Sequence, residues 1–476
     1  MPFPTLTLSR SSLASEPRLG GNAAGKPLLL ILGSYLVAIF LGTVLLTLPV
    51  SSVERDWTHP LDALFTATSA VCVTGLIVVD TPTHFSGFGK LVIMCLIQAG
   101  GWSIIVLSTL VTLFVGRSIL LRHAQVIRSV MGSLDTGSVA RESLNIPTLF
   151  RVLKTIVVIT LGIEAVGVAV LSGWFLHLGY SPAAALAYGL FHTVSSFCNA
   201  GFALYSDSMV RFQHDPVVGP AIALLVYLGS IGYIVYADLW RWLQSRLGRG
   251  AELPHVLSLH SKLVLTVSLT VIGTGALLIM AFEAGGTMLA LGAGEKVNAS
   301  LFTALMATAG FNIVPTEALS EASLFVLMVL MFIGGSSLSA AGGIKTTTFA
   351  VMFLTLRSIV RQTASVTVFR RRITTIEVRR SIAIVFMFLG AIVVGTLALL
   401  VTEGKPFLPV VFEVMSAIGT VGLSMGITGG LTPPGKTIII ALMVMGRVGP
   451  LAMVLLAAGR GKREVVQRPA EPIMVG

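Results

Sequence analysis

The chain has 476 residues, 54% of them hydrophobic and 11% charged, with a mean hydropathy of +0.91. A soluble globular domain carries about 25% charge, so this composition excludes one and points to a chain that crosses a membrane many times. The formal charge of +11, from 32 Lys and Arg against 21 Asp and Glu, gathers in the loops between apolar runs and reads as membrane topology rather than nucleic-acid binding.

A spanning helix needs about 20 apolar residues. Residues 1–26 form a polar, weakly basic tail. The first apolar run, 27–50, starts too late and runs too long for a cleaved signal peptide, and reads as a signal anchor. Residues 61–71 are apolar but too short to cross, which predicts a re-entrant half-helix. An irregular stretch follows, then a second span at 89–115. The same unit of span, half-helix, irregular loop and span returns three times. Its spans are 149–178 and 216–242, then 263–282 and 322–356, then 381–401 and 436–458; the half-helices are 182–197, 297–307 and 407–418. The expected organisation is therefore a tail (1–26), repeat 1 (27–116), a linker (117–148), repeat 2 (149–246), a linker (247–262), repeat 3 (263–357), a linker (358–380), repeat 4 (381–459) and a tail (460–476). The fold class is an all-α polytopic membrane protein with four pseudo-repeats around one central axis.

Each half-helix ends in a related element: Val73-Thr74-Gly75, Asn199-Ala200-Gly201, Thr308-Ala309-Gly310 and Thr420-Val421-Gly422. A small residue stands six before each glycine (Ser69, Ser195, Ala304, Ser416), and three copies carry a Phe ten before it (Phe65, Phe191, Phe412). Copies roughly 110–125 residues apart are an internal repeat and set the architecture.

The linkers and both ends are rich in arginine, whereas the loops beside the half-helices hold Glu54, Asp56, Asp80, Asp207, Asp215, Glu317 and Glu403. The positive-inside rule places both termini and all linkers in the cytoplasm, with the half-helices dipping in from outside. Irregular backbone at membrane depth is tolerated where it is buried in protein or lines a wet cavity. Four inward half-helices present partially negative C-termini to the bilayer centre, which favours a cation, and the loops after them can offer carbonyls in place of its water. This marks the four triplets as cation-binding filter backbone in a pore.

Residues 334–348 interrupt the sixth span with Gly334, Gly335, Ser336, Ser337, Leu338, Ser339, Ala340, Ala341, Gly342, Gly343 and Lys345. A non-helical segment just below a filter is placed to be a gate. It is not a phosphate loop, because Ile344 separates glycine from lysine, and no dinucleotide fingerprint occurs elsewhere. Arg447 lies within the eighth span; a charge there is costly and faces either the pore, as an electrostatic barrier, or an ion-pair partner. Glu164 lies within the third span and reads as structural. Cys72, Cys95 and Cys198 lack metal-ligand spacing and read as small buried residues. No HExxH or close intramembrane acid pair suggests an enzyme.

These elements together resemble the Trk/Ktr/HKT superfamily of potassium transporters, over nearly the whole chain after Lys26. A single span before the first filter is most like its bacterial KtrB membrane subunits. The resemblance implies potassium uptake, stimulated by Na⁺, across the bacterial cytoplasmic (inner) membrane. It implies a homodimer with one pore per subunit, and a cytoplasmic KtrA-like regulatory ring that binds ATP or ADP. It also implies that residues 334–348 with Arg447 form the intramembrane gate. No organic cofactor and no nucleic acid are expected. The chain departs from the family pattern at Ala307, where Arg is usual, and at Ser337-Leu338, where Pro-Gly is usual. The alternative is a secondary transporter of another small cation or solute, with broken helices around a midplane site; four units of one orientation argue against it.

Overall fold

Prolines and short polar side chains set the helix starts. The computed structural model describes residues 25–102, 146–247 and 256–449. Repeat 1 holds α1 (Gly25–Thr47), α2 (Pro60–Val71), α3 (Thr81–His84) and α4 (Gly87–Gly101). Repeat 2 holds α5 (Ile146–His177), α6 (Pro182–Phe197), α7 (Val218–Ile231) and α8 (Tyr233–Arg246). Repeat 3 holds α9 (Leu259–Glu283), α10 (Ala293–Met306), α11 (Glu321–Phe332) and α12 (Thr346–Val360), and repeat 4 holds α13 (Thr375–Glu403), α14 (Phe407–Gly419) and α15 (Pro433–Val448). The half-helices are α2, α6, α10 and α14. Pro60 and Pro182 occupy the first helical position, where a missing N–H is harmless. Ser181 caps α6 by accepting from the Ala184 N–H, and Glu295 reaches back to the Gly292 N–H at 2.7 Å to start α10.

Each half-helix packs on the long helix before it, and the helix after it packs on the half-helix of the next repeat: α4 on α6, α7 on α10, α11 on α14 and α15 on α2. The last pair closes the molecule into a ring. The Lys436–Asp62 ion pair, at 2.6 Å and less than a fifth exposed, ties the same two helices. Phe65, Phe191 and Phe412 are buried in the half-helices. The outward sides of the long helices expose Leu161, Val166, Leu277, Phe386 and Val394; apolar surface on this scale faces lipid. Lys154–His177, Leu259–Glu283 and Thr375–Glu403 are each long and apolar enough to cross a membrane, which makes this a multi-pass membrane protein.

Several boundaries differ from expectation. The fourth span is not one helix: α7 and α8 meet at Gly232 with a bend of 94°. Gly232 has φ +91°, and a Cβ there would lie 2.5 Å from the Ser337 carbonyl oxygen. The linkers at 247–262 and 358–380 are partly helical, because Ser258 and the Thr374–Glu377 capping box draw α9 and α13 back into polar sequence. The second of them also holds a two-stranded hairpin, β1 (Thr367–Val368) paired antiparallel with β2 (Arg371–Arg372), a small addition to an all-α fold. The ends of the second and eighth spans, most of the first linker and both tails lie outside the described residues.

The bend yields a stability prediction. Gly232→Ala places a side chain at φ +91° and ψ 146°, a backbone region essentially reserved for glycine, which costs about 1–3 kcal/mol before any clash is counted. Thermal unfolding in detergent should show a melting temperature several degrees lower than that of the parent.

Candidate functional site: a ring of four glycine loops above a tethered loop

Three half-helices end in the same way. The Val73, Asn199 and Thr420 backbones turn left-handed, with φ of +56°, +59° and +48°. The N–H groups of Thr74, Ala200 and Val421 then donate back to the carbonyls of Ser69, Ser195 and Ser416 at 2.7–2.9 Å. This is a Schellman closure, made at a cost, since Val and Thr disfavour that region. Ser69 and Ser416 add a second clamp, each hydroxyl accepting the N–H of the glycine six residues on at 3.0 Å. The third loop differs. Thr308 is not left-handed, Gly310 donates to the Met306 carbonyl at 2.9 Å, and the place of the clamping serine is taken by Ala304.

After each turn comes a glycine with positive φ: Gly75 at +90°, Gly201 at +72°, Gly310 at +75° and Gly422 at +100°. A Cβ on Gly75 would fall on the Ala200 carbonyl oxygen, one on Gly201 on that of Ala309, one on Gly310 on that of Val421, and one on Gly422 on that of Thr74. The four loops therefore touch in cyclic order, and the structure brings all four triplets together. The Thr74 and Thr420 hydroxyls are buried in this ring without a hydrogen-bond partner among the described residues. On the side from which the half-helices enter lies a vestibule of about 250 Å³, floored by the four glycines and lined by Asp80, Asn312, Glu317 and Ser424. Among the described residues its charged lining is acidic. Beside it, burial pushes the Asp207 carboxyl up, but the hydrogen bond and charge of Arg211 together with backbone hydrogen bonds outweigh this and hold it below the ordinary aspartate value.

On the opposite side of the ring lies the segment between α11 and α12. It is pinched shut at its ends by a parallel bridge between Ile333 and Ile344, with Gly334 packed on Gly343. Ser336 N–H donates to Ser230 O at 2.9 Å and Ala340 N–H to Gly229 O at 3.1 Å, which fastens it to repeat 2. Arg447 donates to Ala340 O and to Gly100 O, which fastens it to repeats 4 and 1. Gly342 abuts the Thr420 hydroxyl, so the segment touches the ring itself. Lys345 turns back to Ala341 O at 2.7 Å. Ser337 reaches Thr347 at 3.2 Å, the Ser339 hydroxyl donates to Ser336 O, and Gly335 packs on Ala341. Leu338 sits at φ +59°, a conformation that disfavours a branched side chain and favours glycine. Arg447 is buried and makes no ion pair among the described residues; two backbone carbonyls take the place of a carboxylate partner. Glu164 accepts instead from Gln98 Nε2 at 3.3 Å.

Sequence reasoning missed the glycines that let the half-helix ends sit deep. A Cβ on Gly100, Gly229 or Gly446 would fall on the carbonyl oxygens of Val71, Phe197 and Ile418. Their recurrence roughly 25 residues after each of three loop glycines is the signal that could have found them. Glu413 is a second omission: fully buried in α14, it accepts from the Ser424 hydroxyl at 2.7 Å and from Thr428, and so braces the fourth loop.

Comparison with known proteins gives one pattern. The family model described as TrkH, cation transport protein, matches residues 30–463. The chain is 37% identical to the Ktr system potassium uptake protein B of Vibrio alginolyticus over 456 residues, covering 95% of each chain. It is 37% identical to the protein of the same name from Bacillus subtilis over 435 residues, covering 90% of this chain and 92% of that one. It is 34% identical to the potassium/sodium uptake protein NtpJ of Enterococcus hirae, covering 94% of this chain and 97% of that one. The crystal structure of the potassium transporter TrkH from Vibrio parahaemolyticus superposes with a TM-score of 0.68 at 18% identity, covering 89% of this chain and 84% of that one.

Proposed function

This chain belongs to the TrkH family of cation transport proteins, which makes it an ion transporter rather than an enzyme, and on that footing we propose that it takes up potassium through the ring of four loops. The observation that carries the reading is the cyclic contact of Gly75, Gly201, Gly310 and Gly422, each against the carbonyl preceding the next glycine. Left-handed glycines let backbone carbonyls crowd one axis, and carbonyls replace the water of a bare monovalent cation. The acidic vestibule gathers cations at the mouth.

In this reading residues 334–348 and Arg447 are the gate, and the tethers to repeats 1, 2 and 4 hold it closed. The vestibule faces outward, both termini lie in the cytoplasm, and the membrane is the bacterial inner membrane. Sodium stimulates the flux. The protein works as a homodimer on a separate cytoplasmic KtrA-like ring that binds ATP or ADP, and the exposed Arg370, Arg371 and Arg372 of the hairpin offer that ring a basic contact.

The test is flux in liposomes holding this chain alone, with K⁺, Rb⁺, Na⁺ and Li⁺ compared under an imposed voltage. The expected result is K⁺ and Rb⁺ flux well above that of Na⁺ and Li⁺. Equal flux of all four ions, or no cation flux even after the regulatory ring is added, would sink the reading.

A further inference from the structure

We propose that Asn199 and Ser208, both on repeat 2, are positioning residues that hold the third loop of the ring, an assignment that rests on the potassium-pore reading above. The third loop lacks what the others have. Loops one and four carry their own serine clamp on the glycine N–H. In loop two the Ser195 hydroxyl donates to Phe202 O at 2.7 Å, and His192 Nε2 accepts the Leu204 N–H at 3.1 Å. The third loop has Ala304 at the serine position and Leu301 at the position of His192, and neither side chain has a polar atom.

Repeat 2 supplies the missing bonds. Below the glycine, Asn199 Nδ2 donates to the Thr308 hydroxyl at 3.2 Å and to Val226 O at 3.3 Å. Above it, the Asn312 N–H donates to the Ser208 hydroxyl at 3.2 Å, and Met209 N–H donates to Asn312 O at 2.9 Å. Gly310 is thus bracketed on both sides by groups from another repeat. Both residues suit the task. Asn tolerates the left-handed backbone that Val73 and Thr420 adopt under strain, so it can turn its own loop and still reach across. Ser208 is itself left-handed at φ +54°, and held there.

The segment that presents Ser208 is anchored at several points. Arg211 pairs with Asp207 at 2.7 Å and lies 4.3 Å from the centre of the Tyr205 ring. Ser206 donates to Asp80 of repeat 1 at 2.7 Å, and His214 meets Glu295 of repeat 3 at 2.9 Å. This segment is therefore a fixed frame, and the third loop takes its position from that frame.

The experiment compares the full-length parent with Ser208→Ala and Asn199→Gly, the second chosen because glycine keeps the left-handed turn. Amide hydrogen exchange is followed at residues 308–313 and, as internal controls, at 72–77 and 420–424. Losing one bond of ordinary net strength should speed exchange roughly tenfold at 308–313 in both variants, with the controls unchanged. In liposomes the K⁺ over Na⁺ flux ratio should fall roughly 2–10-fold. Unchanged exchange at 308–313, or equal acceleration at all three segments, would overturn the assignment. Failure of the pore reading is separately visible, as a parent that does not discriminate K⁺ from Na⁺, while the exchange data still decide whether the brace exists.

Discussion

Gly310→Ser should bring K⁺ and Na⁺ flux close to parity. A serine at φ +75° pays about 1–2 kcal/mol for its left-handed backbone, which alone corresponds to roughly tenfold in an equilibrium between correct and distorted loops. The larger effect is steric. The new Cβ lands on the Val421 carbonyl oxygen and lies 2.9 Å from Gly422 Cα, so the fourth loop must move as well. An ion stripped of water is held by carbonyls at fixed places, and displacing two of the four loops removes the advantage of one ion size over another. Gly201→Ser should act in the same direction through Ala309. The check is the flux ratio of the two ions in liposomes. A ratio unchanged in both variants would take these loops out of the conduction path.

The second large effect is expected below the ring. Removing Ser337, Leu338 and Ser339 should raise K⁺ flux by roughly tenfold or more. The loop is held beneath the ring by the Ser230–Ser336, Gly229–Ala340 and Arg447–Ala340 bonds. At about 1 kcal/mol each, more for the charged donor, losing two of them shifts an open–closed equilibrium by one to two orders of magnitude. Arg447→Gln, which leaves the loop at full length and weakens only its tether, should raise flux by a smaller factor. Folded protein with unchanged or lower flux in both variants would show that this segment does not obstruct the ion.

The half-helices were legible because their limits are written in short-range chemistry: proline at the start of α2 and α6, and a small residue and a glycine at fixed distances near each end. The break at 334–348 was legible from its glycine density. The bend at Gly232 was not, since one glycine in an apolar run is ordinary in membrane helices and only the approach of Ser337 from repeat 3 makes it a hinge. The starts of α9 and α13 were missed because capping side chains extend helices into polar sequence that otherwise reads as linker. The partners of Arg447 are backbone carbonyls from two other repeats, and no pairing of charges along the chain points to them. The third loop shows both sides: Ala304 in place of serine is visible in the sequence, but the compensating reach of Asn199 and Ser208 exists only once the repeats meet.

The packing of α15 on α2 has a consequence for how the protein is made. Every other junction between repeats joins neighbours in sequence, but Lys436 finds Asp62 across a separation of 374 residues. A chain leaving the ribosome must insert its first half-helix long before the helix that completes its surroundings has been synthesised. Forming such a distant contact is slow compared with local helix growth. During that interval α2 has only the flanks of its own repeat, and its Asp62 awaits a counter-ion. Ring closure is therefore the last step in joining the four repeats, and a chain stopped before residue 433 would hold three finished seams and one open one.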